Sequence, residues 1–134
     1  MKAVFADSSF YVALTNPDDE HHAAALSWAG QLRLHVVLTD YILVELGGFL
    51  AKTTARGLFL RLLDQIRGDP NTRVVRASKH LMDQGLTLFR ERPDKDWSLT
   101  DCISFRVMTS LKIPDALTAD HHFEQAGFRA LLKS

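Results

Sequence analysis

The chain has 134 residues, 46% of them apolar and 24% charged, and its 16 basic and 16 acidic side chains cancel. That length suits one globular domain spanning residues 1–134. The charge content and the lack of an apolar run near the ~18 residues of a membrane span exclude disorder and transmembrane insertion, and the zero balance excludes a global cationic field for nucleic acid.

Ala3 to Ala6 is a short apolar run closed by Asp7-Ser8-Ser9, which reads as a strand followed by a helix through Phe10 to Leu14. The same run meets an acid too soon for a secretory leader, and the single Cys102 has no internal disulfide partner, so a reducing cytoplasm is the expected compartment. Asn16-Pro17-Asp18-Asp19 is turn chemistry, and Glu20 to Leu34 is expected as a helix with Ala24, Leu26, Trp28, Ala29 and Leu32 on its apolar side. His35 to Leu38 reads as a second buried strand, and Thr39 or Asp40 caps a helix that runs through Ala51.

Residues 54–67 form another helical stretch, stopped by Gly68-Asp69-Pro70-Asn71, and Thr72 to Val75 reads as a third strand. A helix over Ser78 to Arg90, a loop at Pro93 to Asp96 and a helix over Thr100 to Leu111 follow. Ala116 to Thr118 is the fourth strand, Asp120 to Gln125 a short helix, and Gly127 to Leu132 a terminal strand. Strands separated by helices call for an α/β fold, a mainly parallel sheet of about five strands flanked by helices, with its ligand crevice beyond the carboxyl ends of the strands.

Charge is uneven along the chain. Residues 1–51 hold four more acids than bases, residues 52–92 five more bases than acids, and residues 93–134 one more acid. A phosphate-binding rim beside a carboxylate pocket has this pattern, and so do arginines scattered on solvated helix faces.

The acids fall at informative places. Asp7 follows the first strand and Asp120 the fourth, so both sit at the crevice edge. Glu45 lies within an apolar helical segment after the second strand, with no basic residue three or four positions away, and Asp101 opens a helix with Asp96 one loop earlier. Capping accounts for Asp7 or Asp120 singly, a helix dipole for Asp101, and projection into solvent for Glu45. Jointly placed in one crevice, four carboxylates would repel each other and raise their pKa values unless a cation neutralised them. All-oxygen ligation without cysteine or paired histidine favours Mg²⁺ or Mn²⁺.

The segments Ala3 to Phe10, Thr39 to Phe49 around Glu45, Asp96-Trp97-Ser98-Leu99-Thr100-Asp101-Cys102 and Leu117 to Phe128 together resemble the PIN-domain ribonucleases, most closely the stand-alone VapC-like toxins. The resemblance covers nearly the whole chain in order and spacing. It implies a metal-dependent endoribonuclease hydrolysing single-stranded RNA to a 3′-hydroxyl and a 5′-phosphate, with Asp7, Glu45, Asp101 and Asp120 at the family's acidic positions. Asp96 matches a subgroup pattern, and Ser8 and Thr118 stand beside matched acids, where they orient a carboxylate or simply cap a helix. Lys52 and Arg56, beyond Glu45, are candidates for gripping the RNA backbone. The resemblance also implies a homodimer and a small antitoxin partner.

Other features carry less. His21-His22 and His121-His122 suggest metal ligands, yet neighbours on a helix diverge by about 100°, so solvated polar residues are expected. Cys102 reads as a buried thiol, and Trp28, Trp97 and the eight phenylalanines as core, although Trp97 beside Asp96 has a face able to stack on a base. Three rivals are kept: an RNA-processing nuclease of the same family, a non-catalytic relative, and a receiver or phosphatase domain. The last is disfavoured because Asp7-Ser8-Ser9 lacks a second acid and the strand at Ala116 lacks a lysine.

Overall fold

The computed structural model describes residues 2–31 and 33–133, so Met1, Ser134 and the expected apolar position Leu32 lie outside the described residues. Along the chain run β1 (Ala3–Ala6), α1 (Ser8–Thr15), α2 (His22–Ala29), β2 (His35–Thr39), α3 (Asp40–Phe49), α4 (Arg56–Gly68), β3 (Thr72–Val75), α5 (Lys79–Glu91), α6 (Leu99–Ser110), β4 (Asp115–Leu117), α7 (His121–Gln125) and β5 (Arg129–Ala130), then a 3₁₀ turn over Leu131–Lys133. Among the described residues, no helix is long and apolar enough to cross a membrane.

The five strands form one parallel sheet in the order β3-β2-β1-β4-β5. Val4, Phe5, Ala6, Ala116 and Leu117 are fully buried, as central strands covered on both faces must be. The chain winds outward from β1 to β3 and then returns to place β4 on the other side of β1, so the topological switch lies between β1 and β4. There the backbone N–H of Asp7 donates to the Leu117 carbonyl at 3.3 Å, tying together the two strand ends that open the crevice.

Two expected elements are shorter than read. The helix placed over Glu20 to Leu34 ends at Ala29, because Gly30 serves as its C-cap and donates back to Leu26, after which Gln31 and Leu34 close turns. The terminal strand keeps only Arg129 and Ala130, paired with Asp115 and Ala116. Beyond them the Leu132 N–H donates to the Thr118 carbonyl, and Leu131 and Leu132 are buried in the core, which pulls the chain off the sheet edge.

Helix α6 is buried on nearly every face, from Asp101 through Met108, and packs against α5. The close approach needs Gly85 of α5, where an added Cβ would lie 2.3 Å from Ile103 Cγ1. Cys102 is fully buried, in agreement with the sequence reading. So is most of Trp97, whose indole N–H donates to Gln125 Oε1 at 3.0 Å and whose ring meets Phe105 edge-on. The base-stacking face expected of Trp97 is therefore spent on the core.

Candidate active site

Thr39 caps α3 by accepting from the Ile42 N–H, and this fixes the helix at the end of β2. Within it Leu46 is fully buried while Val44 is 75% exposed, so Glu45 stands on the boundary between core and solvent. The buried Ser8, at the start of α1, donates its hydroxyl to Glu45 Oε1 at 2.5 Å.

Asp7 occupies the N-cap position of α1 but makes no capping bond. Its Oδ2 instead accepts from Ser9 Oγ at 2.8 Å and from Thr118 Oγ1 at 3.0 Å. Thr118 is fully buried and also accepts the backbone N–H of Asp120 at 3.0 Å, so one hydroxyl links the Asp7 carboxylate after β1 to the Asp120 backbone after β4.

Asp101 and Asp120 do cap helices. Asp101 forms a reciprocal pair with Ser98: its Oδ2 accepts the Ser98 N–H at 3.1 Å, and Ser98 Oγ accepts the Asp101 N–H at 3.0 Å. Asp120 Oδ1 accepts the His122 N–H at 2.9 Å. The His122 ring then reaches both acids, with Nδ1 3.2 Å from Asp101 Oδ2 and 3.5 Å from Asp120 Oδ1.

Asp7, Glu45, Asp101 and Asp120, together with Ser8, Asp96 and His122, line one cleft of about 250 Å³. A slightly larger hollow of about 290 Å³ between α1, α2 and α4 is faced by Phe10, Tyr11, Trp28 and Ile66 and contains none of these acids. The smaller cleft is the one with chemistry. Lys52 and Arg56 are outside its lining; both are exposed, Lys52 in the turn after α3 and Arg56 at the first position of α4, and the N–H groups of Ala55 and Arg56 donate to the Lys52 carbonyl.

Burial pushes the Asp7 carboxyl from its ordinary 3.8 up to about 6; the Ser9 hydroxyl opposes this, while the charge of Glu45 adds to it. Burial also raises Glu45, with Ser8 opposing and Asp101 and Asp120 adding. Asp101 is raised by burial and by Asp120, against the Ser98 N–H and His122. The carboxylates thus sense each other across the cleft, and a cation would relieve their repulsion and their desolvation together.

The oxygen-rich donor set fits Mg²⁺ or Mn²⁺, which retain waters and need only a few protein ligands. One correction concerns histidine. Asp120, His121 and His122, at the start of α7, each present a ligand atom within 4.8 Å of the others; Asp7, Glu45 and Asp101 are not part of that group. His122 is also not a solvated residue, its side chain being 20% exposed, and His21 and His22 bond the carbonyls of Leu132 and Ala13. Of these four histidines His121 is the widely open one, at 65%.

Sequence reasoning passed over Ser9 and Ser98, set His122 aside as solvated and placed Phe49 in the core with the other phenylalanines; all four line the cleft, and Phe49 is 63% exposed because it lies on the Glu45 face of α3. Ser98 was detectable as half of a capping box with Asp101, and His122 as the residue two past Asp120. No pattern marks Ser9 or Phe49.

The PIN domain family model matches residues 4–129. The 23S rRNA-specific endonuclease VapC20 of Mycobacterium tuberculosis, in strains CDC 1551 and H37Rv, is 28% identical over 126 residues, which are 93% of this chain and 95% of the relative. The crystal structure of M. tuberculosis VapC20, titled a sarcin-ricin loop cleaving toxin, superposes with a TM-score of 0.83 at 27% identity over 93% of this chain and 95% of that one. The strand order, the cleft at the β1–β4 switch and the match over almost the full length agree: the chain belongs to the PIN domain family.

Proposed function

We propose that the chain is a Mg²⁺- or Mn²⁺-dependent endoribonuclease that hydrolyses phosphodiester bonds in unpaired RNA, leaving a 3′-hydroxyl and a 5′-phosphate, and that it is the toxin of a type II toxin-antitoxin pair. The observation that carries this reading is the gathering of Asp7, Glu45, Asp101 and Asp120 from four separate segments into one cleft. VapC20, with a similar sequence and fold, is named for cleavage of 23S rRNA, so the sarcin-ricin loop is the first substrate to try.

Asp7 and Asp101 are the principal ligands, Glu45 a ligand or water orienter, and Asp120 a ligand to a second or weaker ion. Bound Mg²⁺ or Mn²⁺ supplies activation of the attacking water and charge neutralisation at the phosphate and departing oxygen. The chain's own part is positional. Ser8 holds Glu45 against α1, Ser9 and Thr118 fix the Oδ2 atom of Asp7, and His122 spans Asp101 and Asp120. Asp96 sits at the exposed lip, and Lys52 and Arg56 lie nearby in sequence to hold RNA phosphates.

The decisive test is Asp101→Asn. Asparagine keeps an oxygen for the Ser98 N–H, so the fold should be retained by circular dichroism. Cleavage of a sarcin-ricin hairpin should fall by about two orders of magnitude or more, the scale of several kcal/mol of lost charge stabilisation. Full activity in this variant removes Asp101 from the mechanism. As a toxin, the protein works in the cytoplasm as a homodimer restrained by a small antitoxin. Expression alone should slow growth, and Asp101→Asn should relieve the effect.

A further inference from the structure

The acidic cleft contains one lining residue that the mechanism does not use. Its other side chains are carboxylates, hydroxyls or an imidazole; Phe49 is hydrocarbon, and 63% exposed. We propose that Phe49 is the stacking platform for a nucleobase beside the cleaved phosphodiester, an assignment that rests on the endoribonuclease reading above.

The placement follows from the helix. Residues 45 and 49 are one turn apart, so Phe49 shares the face of Glu45 and stands about 6 Å along the axis from it. That offset resembles the reach from a backbone phosphate across its sugar to its base. On the other side of α3, α4 packs close: a Cβ on Gly47 would lie 3.3 Å from the Phe59 ring. Gly47 and Phe49 differ by about 200° around the axis, so α4 covers the opposite face and leaves the Phe49 ring open to the cleft.

Chemistry selects the occupant. The carboxylate wall repels RNA phosphates except where a cation intervenes, whereas an aromatic face has no net charge and gains by covering a flat base. Unpaired RNA offers such bases, and stacking on aromatic side chains is the usual way proteins hold them. Trp97, the other candidate, is buried. The exposed Val44 is about 140° around α3 from Phe49, so an apolar contact between subunits through Val44 would not require this ring. Every base has a π face, so Phe49 sets grip rather than sequence choice.

The test measures binding without turnover. A fluorescein-labelled sarcin-ricin hairpin RNA is titrated by anisotropy against Asp101→Asn protein in Mg²⁺, with Phe49 intact or replaced. Phe49→Ala should weaken binding roughly 5- to 100-fold, Phe49→Leu should resemble Phe49→Ala, and Phe49→Trp should bind like the parent. A set of hairpins with one abasic nucleotide each should include one position whose loss weakens the Phe49-intact protein and leaves Phe49→Ala unaffected.

Full affinity in Phe49→Leu, no abasic position coupled to Phe49, or no RNA binding by the Phe49-intact protein each overturns the proposal. A change of oligomeric state in Phe49→Ala, read by sedimentation, also overturns it and makes the ring a subunit contact. RNA bound through Phe49 but left uncut by protein with Asp101 restored defeats only the nuclease reading; RNA cut by that protein and bound without regard to Phe49 defeats only this one.

Discussion

Asp7 is the residue at which folding and function oppose each other. It is 5% exposed, and burial pushes its carboxyl from 3.8 up to about 6. Within that window the folded protein holds a proton that the unfolded chain has released. Stability therefore falls as pH rises from about 4 to about 6, and above it the full cost, about 3 kcal/mol, is present. In EDTA at about pH 8, Asp7→Asn should raise the melting temperature by roughly 3 to 10 °C, and the gain should vanish near pH 4. Mn²⁺ should then stabilise the parent by binding the folded state and leave the variant unmoved. An Asp7→Asn protein no more stable than the parent at the higher pH contradicts this account. The position of Asp7 was legible because a residue directly after a central parallel strand must reach the crevice. Its partners Ser9 and Thr118 are two and 111 positions away, and the second distance is beyond any local pattern.

Among the elements, α6 bears the heaviest constraint, since it holds Asp101 at its start and is buried along most of its length. It is seated by α5 through Gly85, where an added Cβ would also meet the Ile103 backbone N at 3.3 Å and Cα at 3.4 Å. Replacing glycine by alanine inside a helix ordinarily gains about 1 kcal/mol, whereas forcing an extra methyl into a packed core costs about 1 to 3 kcal/mol. Packing wins here because Ile103 is branched, buried and unable to retreat. Gly85→Ala should lower stability by about 1 to 2 kcal/mol in urea unfolding and reduce cleavage by displacing Asp101. A variant as stable as the parent would show that α5 and α6 separate more freely than this contact implies. The sequence marks Gly85 only as a helix-interior glycine. The terminal strand was legible but its shortness was hidden: β5 is pinned by Arg129, which donates twice to the buried Asp115 at 2.8 and 3.0 Å, while Lys2 reaches the same carboxylate at 2.7 Å.

The whole molecule has no net charge, so it has no long-range field to draw RNA. On the proposed function, salt dependence of binding must then come from local contacts, for which the basic stretch over residues 52–92 is the proposed source. Log affinity for the hairpin RNA should fall linearly with log salt, and replacing both Lys52 and Arg56 by glutamine should reduce the slope by about 1 to 1.5, near 0.7 for each phosphate released. A slope unchanged by the double replacement removes both residues from the RNA path. Neither lines the acidic cleft, so the experiment separates grip on the backbone from the chemistry at the carboxylates.

The amino-acid order by itself determined the alternation of strands and helices, the parallel sheet and the arrival of Asp7 and Asp120 at its carboxyl edge. Those follow from short-range periodicity, capping and the handed crossovers of parallel strands. Glu45 was suspect because an acid in an apolar helical run lacked a local cation. Tertiary structure decided the rest: the Ser8 hydroxyl against Glu45, His122 turned onto two acids, Trp97 lost to the core and Phe49 left in the open. Each depends on how helices far apart in sequence are rotated against the sheet, and that rotation is set by the packing of whole faces, which no local spacing encodes.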